Sequence, residues 1–123
     1  MIIVIGGDKG GTGKSHLATN LTVCLSQQGK RTGLVETDLN GSTKKWNKRR
    51  EQAGLPPVAL NEAYGDISAK ITKMADVAEI LIIDTAGYDS TEFRTALKVA
   101  DIVIVPIDPL AQVEADSLQT VTK

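Results

Sequence analysis

The segment that most constrains this chain is Gly6-Gly7-Asp8-Lys9-Gly10-Gly11-Thr12-Gly13-Lys14-Ser15. It separates the apolar run Met1-Ile2-Ile3-Val4-Ile5 from a stretch in which Leu17, Leu21 and Leu25 recur at helical spacing. Strand, glycine loop and helix in immediate succession make a phosphate cradle. Glycines let successive backbone N–H groups turn inward, and the start of the helix adds a favourable dipole for an anion. Lys14 then stands where it neutralises the β and γ phosphates of a nucleotide, and Ser15 where its hydroxyl meets Mg²⁺. A glycine-rich turn with an incidental lysine is the competing reading. It accounts for the loop but not for the coincidence of strand, Lys-Ser pair and helix.

The same alternation continues along the chain. Ile2 to Ile5, Gly33 to Val35, Ile80 to Ile83 and Ile102 to Val105 are short, branched and apolar, which reads as four buried parallel strands. Between them lie helical patterns. The first ends before Gly29, the second runs from Ser42 to Gln52 ahead of Gly54 and Pro56-Pro57, and the third covers Asp66 to Val77 with Ile67, Ile71 and Met74 as its apolar side. A fourth covers Ser90 to Val99, and Ala111 to Val121 begins a last one. The expected fold is α/β, a mostly parallel sheet with helices on both faces, forming one domain over residues 1–123. Ligands of such sheets bind at the carboxyl ends of the strands.

Two of those ends are acidic. Ile80-Leu81-Ile82-Ile83-Asp84-Thr85-Ala86-Gly87 delivers Asp84 from a buried strand to a metal's surroundings, where its charge holds water on Mg²⁺; taken alone, such an aspartate more often caps a turn. Leu34-Val35-Glu36-Thr37-Asp38-Leu39-Asn40-Gly41-Ser42 is the second. Here Asp38 either takes part in the chemistry or makes an Asx turn or a cap for the helix near Ser42.

Composition excludes less than it permits. With 14 Lys and Arg against 15 Asp and Glu, whole-chain charge points to neither nucleic acid nor membrane. Only a local patch would serve, and Lys44, Lys45, Lys48, Arg49 and Arg50 put five cations within seven residues, either as a solvated helix face or as a phosphate-binding one. The opening apolar run stops at Gly6, too short for a signal peptide or membrane span, so a cytoplasmic protein is expected. The single cysteine, Cys24, is expected to be buried in the first helix, and one thiol makes neither an internal disulfide nor a chelating pair.

Lys9-Gly10-Gly11-Thr12-Gly13-Lys14-Ser15 resembles the deviant Walker A motif of the ParA/MinD family of ATPases, whose signature is the early lysine; Asp8 stands where the strict motif has glycine. The resemblance implies that Gly10, Gly11, Thr12, Gly13, Lys14 and Ser15 wrap the phosphates of ATP. It also implies that Lys9 reaches nucleotide held mainly by a partner subunit. His16, where many members carry threonine, either approaches the α phosphate or caps the first helical turn. Asp84 is similar to Walker B and shares Mg²⁺ with Ser15, and Gly87 resembles the switch II glycine that offers its N–H to the γ phosphate. Asp38 matches the second aspartate of the family's switch I, which helps position the attacking water, while Glu36 replaces the first. The implied catalytic set is therefore Lys9, Lys14 and Asp38.

The likeness continues through Ser42-Thr43-Lys44-Lys45-Trp46, Ala86 to Ser90 and Val103 to Pro109. Small ParA proteins continue with further strands and an adenine-recognition segment, so the resemblance implies that residues 1–123 lack the family's C-terminal strands. The function so implied is a ParA-like switch that binds and slowly hydrolyses Mg-ATP, forms a nucleotide-dependent homodimer and drives plasmid or chromosome partition. Its expected partners are a ParB-like stimulator and non-specific DNA. No membrane is expected, because the tail from Ala111 lacks the basic amphipathic pattern of a MinD anchor. A small-molecule kinase or ligase of the dethiobiotin synthetase type, or a nucleotide-binding module without turnover, is the alternative.

Overall fold

The computed structural model describes residues 1–6, 14–39, 41–87 and 89–106. Among these, strands and helices alternate: β1 (Ile2–Ile5), α1 (Lys14–Gln27), β2 (Thr32–Glu36), α2 (Ser42–Gln52), β3 (Ala59–Glu62), α3 (Ser68–Ala75), β4 (Ile80–Asp84), α4 (Thr91–Leu97) and β5 (Ile102–Ile104). The strands form one parallel sheet in the order β3-β2-β4-β1-β5.

Side chains on a strand alternate between faces, so a strand covered on both sides is apolar throughout. On one face Ile2, Val4, Val35, Leu81 and Ile83 pack with Ile67, Ile71 of α3, and Phe93 and Ala96 of α4. On the other, Ile3, Ile5, Leu34 and Ile82 pack with Ala18, Leu17, Leu21 and Leu25 of α1. Each fully buried aliphatic side chain contributes about 1.5–3 kcal/mol of transfer free energy, against the conformational entropy of ordering it. Both faces of the centre of the sheet are thereby closed.

The structure corrects the expected strand set at its two edges. β3 was not among the four expected strands; Ala59-Leu60-Asn61-Glu62 has no branched apolar run, because it pairs only with β2, and Ala59 and Asn61 are exposed. β5 was expected to be buried and is the opposite edge, with Ile102 41% and Val103 39% exposed. Val105 lies beyond it. Helix α2 has the expected bounds, whereas α3 and α4 are shorter at both ends. The helix expected from Ala111 to Val121 lies outside the described residues.

Cys24 is also corrected. It is exposed, and its sulfur accepts from Gln28 Nε2 at 3.7 Å. The inward stripe of α1 runs through Leu17, Ala18, Leu21, Thr22 and Leu25, and position 24 falls beside it. Helix α1 ends as the sequence indicates, at Gly29 with φ 84°.

Candidate functional site

The parallel register sets Ile5 beside Asp84 and Asp84 beside Glu36. The exit of β1 into the glycine loop and both acidic strand ends therefore lie side by side at the carboxyl edge of the sheet. Bonds beyond the ladder fix these ends. Thr85 Oγ1 donates to the Ile5 carbonyl at 2.8 Å, and the Thr37 amide and hydroxyl donate to the Asp84 carbonyl at 3.1 and 3.0 Å. Gly6, first residue of the loop, donates its N–H to the Ile104 carbonyl at 3.1 Å.

Helix α1 begins at Lys14, and in its first turn Ser15 Oγ donates to Asp84 Oδ2 at 2.8 Å. Thr43 Oγ1, at the start of α2, donates to the same oxygen at 3.2 Å. Asp84 is 3% exposed and Glu36 only 1%. Buried carboxylates are costly unless their oxygens are satisfied. Glu36 Oε1 accepts from the Thr43 amide at 3.0 Å, but Oε2 has no partner among the described residues. Burial holds the Glu36 carboxyl above its ordinary value of 4.5; the amides of Thr43 and Lys44 pull it down, and the neighbouring charges of Asp84 and Glu62 push it up. A hydroxyl and one or two carboxylates, all hard oxygen donors, suit Mg²⁺, which shares its remaining ligands with phosphates and water. Ser15 and Asp84 fit that role, and Glu36 lies beside them at the end of the neighbouring strand.

Of the other residues singled out in the sequence, the structure describes Gly87, Asp38 and His16. Gly87 is buried, and its carbonyl accepts from the Ser90 amide at 3.1 Å and hydroxyl at 2.7 Å; Ser90 in turn caps α4 by accepting from the Phe93 amide. Asp38 is half-buried, and its carbonyl accepts from the Gly41 amide at 3.2 Å. The N-cap of α2 is Gly41, φ 69°, and the Thr43 amide in its first turn donates to Glu36 Oε1. His16 lies in the first turn of α1 with its side chain exposed and its carbonyl accepting from the Thr19 hydroxyl. Lys9, Gly10, Gly11, Thr12 and Gly13 lie outside the described residues.

Two site residues escaped the sequence reading, namely Glu36 as the acceptor for α2 and Thr43 as a donor to Asp84. Capping signatures in sequence span about three residues. Glu36 stands seven residues before the amide it caps, and only the return of the chain over the sheet brings them together.

Helix α2 also carries the cationic cluster. Lys44 pairs with Glu62 at 3.4 Å, while Arg50 stacks over Trp46 at 5.3 Å and donates to the Pro56 carbonyl. Lys45, Lys48 and Arg49 are exposed, with no carboxylate partner among the described residues. No described helix is long and apolar enough to cross a membrane.

Residues 3–121 match the model of the CobQ/CobB/MinD/ParA nucleotide binding domain. The chain belongs to this family. Among curated relatives it is 30% identical to Protein ParA of Rhizobium radiobacter over 129 residues, covering 99% of this chain and 56% of that protein. It thus spans a little over half the length of this relative. Among solved structures it is similar to cobyrinic acid a,c-diamide synthase of Mycobacterium smegmatis, solved with bound ADP and magnesium, with TM-score 0.75, 17% identity, and coverage of 98% of this chain and 66% of that one. A plasmid partition protein of Borrelia burgdorferi gives TM-score 0.70, 20% identity, and coverage of 98% and 71%. The P-loop NTPase fold expected from the glycine loop is therefore the observed one. The likeness to the ParA/MinD family drawn from the motifs is borne out as well.

Proposed function

We propose that residues 1–123 form a single nucleotide-binding unit of a ParA-type ATPase switch, which binds and slowly hydrolyses Mg-ATP and works in DNA partition through a nucleotide-dependent homodimer and a ParB-like partner. The observation that carries this reading is the 2.8 Å bond from Ser15 Oγ to Asp84 Oδ2, in which a phosphate-loop serine meets a strand-end carboxylate across adjacent strands. In this reading the loop amides from Gly10 to Gly13 and the Lys14 ammonium hold the phosphates, Ser15 and Asp84 hold Mg²⁺, and Gly87 donates to the γ phosphate. Bound Mg²⁺ supplies charge neutralisation on the phosphates. Asp38 orients the attacking water, and the chemistry is positioning and charge stabilisation rather than covalent catalysis.

ATP supplied alone should yield ADP and phosphate. Product that forms only after a small-molecule acceptor is added would replace the switch with a kinase or ligase. Lys9→Ala should keep nucleotide binding yet lose the ATP-dependent dimer, since Lys9 serves nucleotide held by the partner subunit. Light scattering with ATP measures this, and equal dimer formation with and without Lys9 removes that role.

For DNA, the exposed Lys45, Lys48 and Arg49 supply the candidate surface. Reversing them to Glu should flatten the slope of log affinity against log salt by about 0.9 for every phosphate that a cation no longer neutralises. An unchanged slope assigns these cations to a solvated helix face.

A further inference from the structure

Thr43 is 1% exposed and lies in the first turn of α2. A hydroxyl there ordinarily turns to a nearby backbone group of its own segment. This one crosses to another strand and donates to Asp84 Oδ2 at 3.2 Å, while the amide of the same residue donates to Glu36 Oε1 at 3.0 Å. Thr43 is thus held at two points by the two buried carboxylates that end β2 and β4.

We propose that Thr43 is a positioning residue for Mg²⁺ binding, orienting the Asp84 carboxylate through its hydroxyl and tying helix α2 to the occupancy of the site. The inference rests on the nucleotide-binding reading above and extends it to a residue with no assigned role. A serine hydroxyl that turns a lone pair to a cation must redirect its proton, which changes the bond from Ser15 to Asp84 Oδ2. The bond from Thr43 comes from a different helix and is independent of that change, so it keeps the carboxylate oriented. Groups that orient a metal ligand in this way typically matter by about 10–100-fold in metal affinity. Because the same residue carries the first turn of α2, a shift of Asp84 also reaches Trp46, one turn further along and the only tryptophan of the chain. Arg50 stacks on that ring and also donates to the Pro56 carbonyl beyond the helix, so a movement of α2 against that segment changes the surroundings of the ring.

The test titrates Mg²⁺ into the full chain with a fluorescent ATP analogue and, separately, follows Trp46 emission with unlabelled ATP. Thr43→Val removes the hydroxyl at nearly constant shape, Thr43→Ala removes it with the best helix former, and Thr43→Ser keeps it. Apparent Mg²⁺ affinity should fall about 10–100-fold in the Val and Ala variants and stay close to the parent in Ser. The Trp46 response at saturating Mg²⁺ should be present in the parent and in Ser and lost in the other two. A common effect of Val and Ala that Ser reverses follows the hydroxyl rather than packing. A parent that binds Mg-ATP, with Val and Ala variants matching it in Mg²⁺ midpoint and in Trp46 response, overturns this inference and leaves the proposed function standing. A parent that binds no nucleotide removes both.

Discussion

Lys14→Ala should leave a chain that folds but no longer binds nucleotide at concentrations where the parent is saturated. Hydrogen bonds to charged groups contribute about 1.5–3 kcal/mol each, and in the proposed site the lysine ammonium is the loop's point charge on the β and γ phosphates. Losing one such bond weakens binding about 10- to 100-fold, and the loss of charge neutralisation on a polyanion adds to it. The fold should survive because Lys14 opens α1, whose first turn has no acidic residue to balance a cation. A positive charge at a helix N-terminus opposes the dipole, so its removal is mildly favourable, by about 0.3–1 kcal/mol. Titration with a fluorescent ATP analogue, beside circular dichroism on the same sample, measures both. Parent-like affinity in Lys14→Ala would remove the phosphate-loop assignment, whereas arginine at this position should restore charge without restoring the compact fit.

The second large effect is structural and lies one residue past β1. A Cβ added at Gly6 would stand 2.6 Å from Phe93 Cδ1 and nearer still to Cε1. Phe93 is 3% exposed and packed among Ile2, Val4, Ile83 and Ala96, so its ring has no free space to retreat into. Overpacking of this kind costs about 1–3 kcal/mol, and Gly6→Val should fall at the upper end or beyond, read as a fall in the midpoint of urea unfolding. Because the clash is with one ring, Phe93→Leu should recover part of the loss. The double variant should then be more stable than the sum of the single changes. Strict additivity would show that Gly6 is required for another reason. The same close approach links fold to site, since it fixes how the chain leaves β1 for the phosphate loop and how α4 lies beside it.

The residues legible in the sequence were those whose role is written locally. An apolar strand, a glycine loop and a Lys-Ser pair are contiguous, and a strand covered on both faces has to be apolar at every position. The four apolar strands, the span of α2 and the position of Asp84 at a strand end all follow from patterns shorter than a dozen residues. Edge β3 was not legible because an edge strand needs no apolar run, and exposed Cys24 was misjudged because one helical position beside the inward stripe is indistinguishable from one on it without the sheet's direction.

Sequence alone therefore determined that this chain builds a parallel α/β sheet, and it singled out Ser15 and Asp84 as the pair proposed to hold the metal. Only the tertiary structure decided which strands became neighbours. The order β3-β2-β4-β1-β5 set Glu36 against Asp84 and folded α2 back so that Thr43 meets both. The physical reason is that hydrogen bonds among Ser15, Glu36, Thr43 and Asp84 join residues up to 69 positions apart. Their partners are chosen by strand register and crossover packing, which no local pattern encodes.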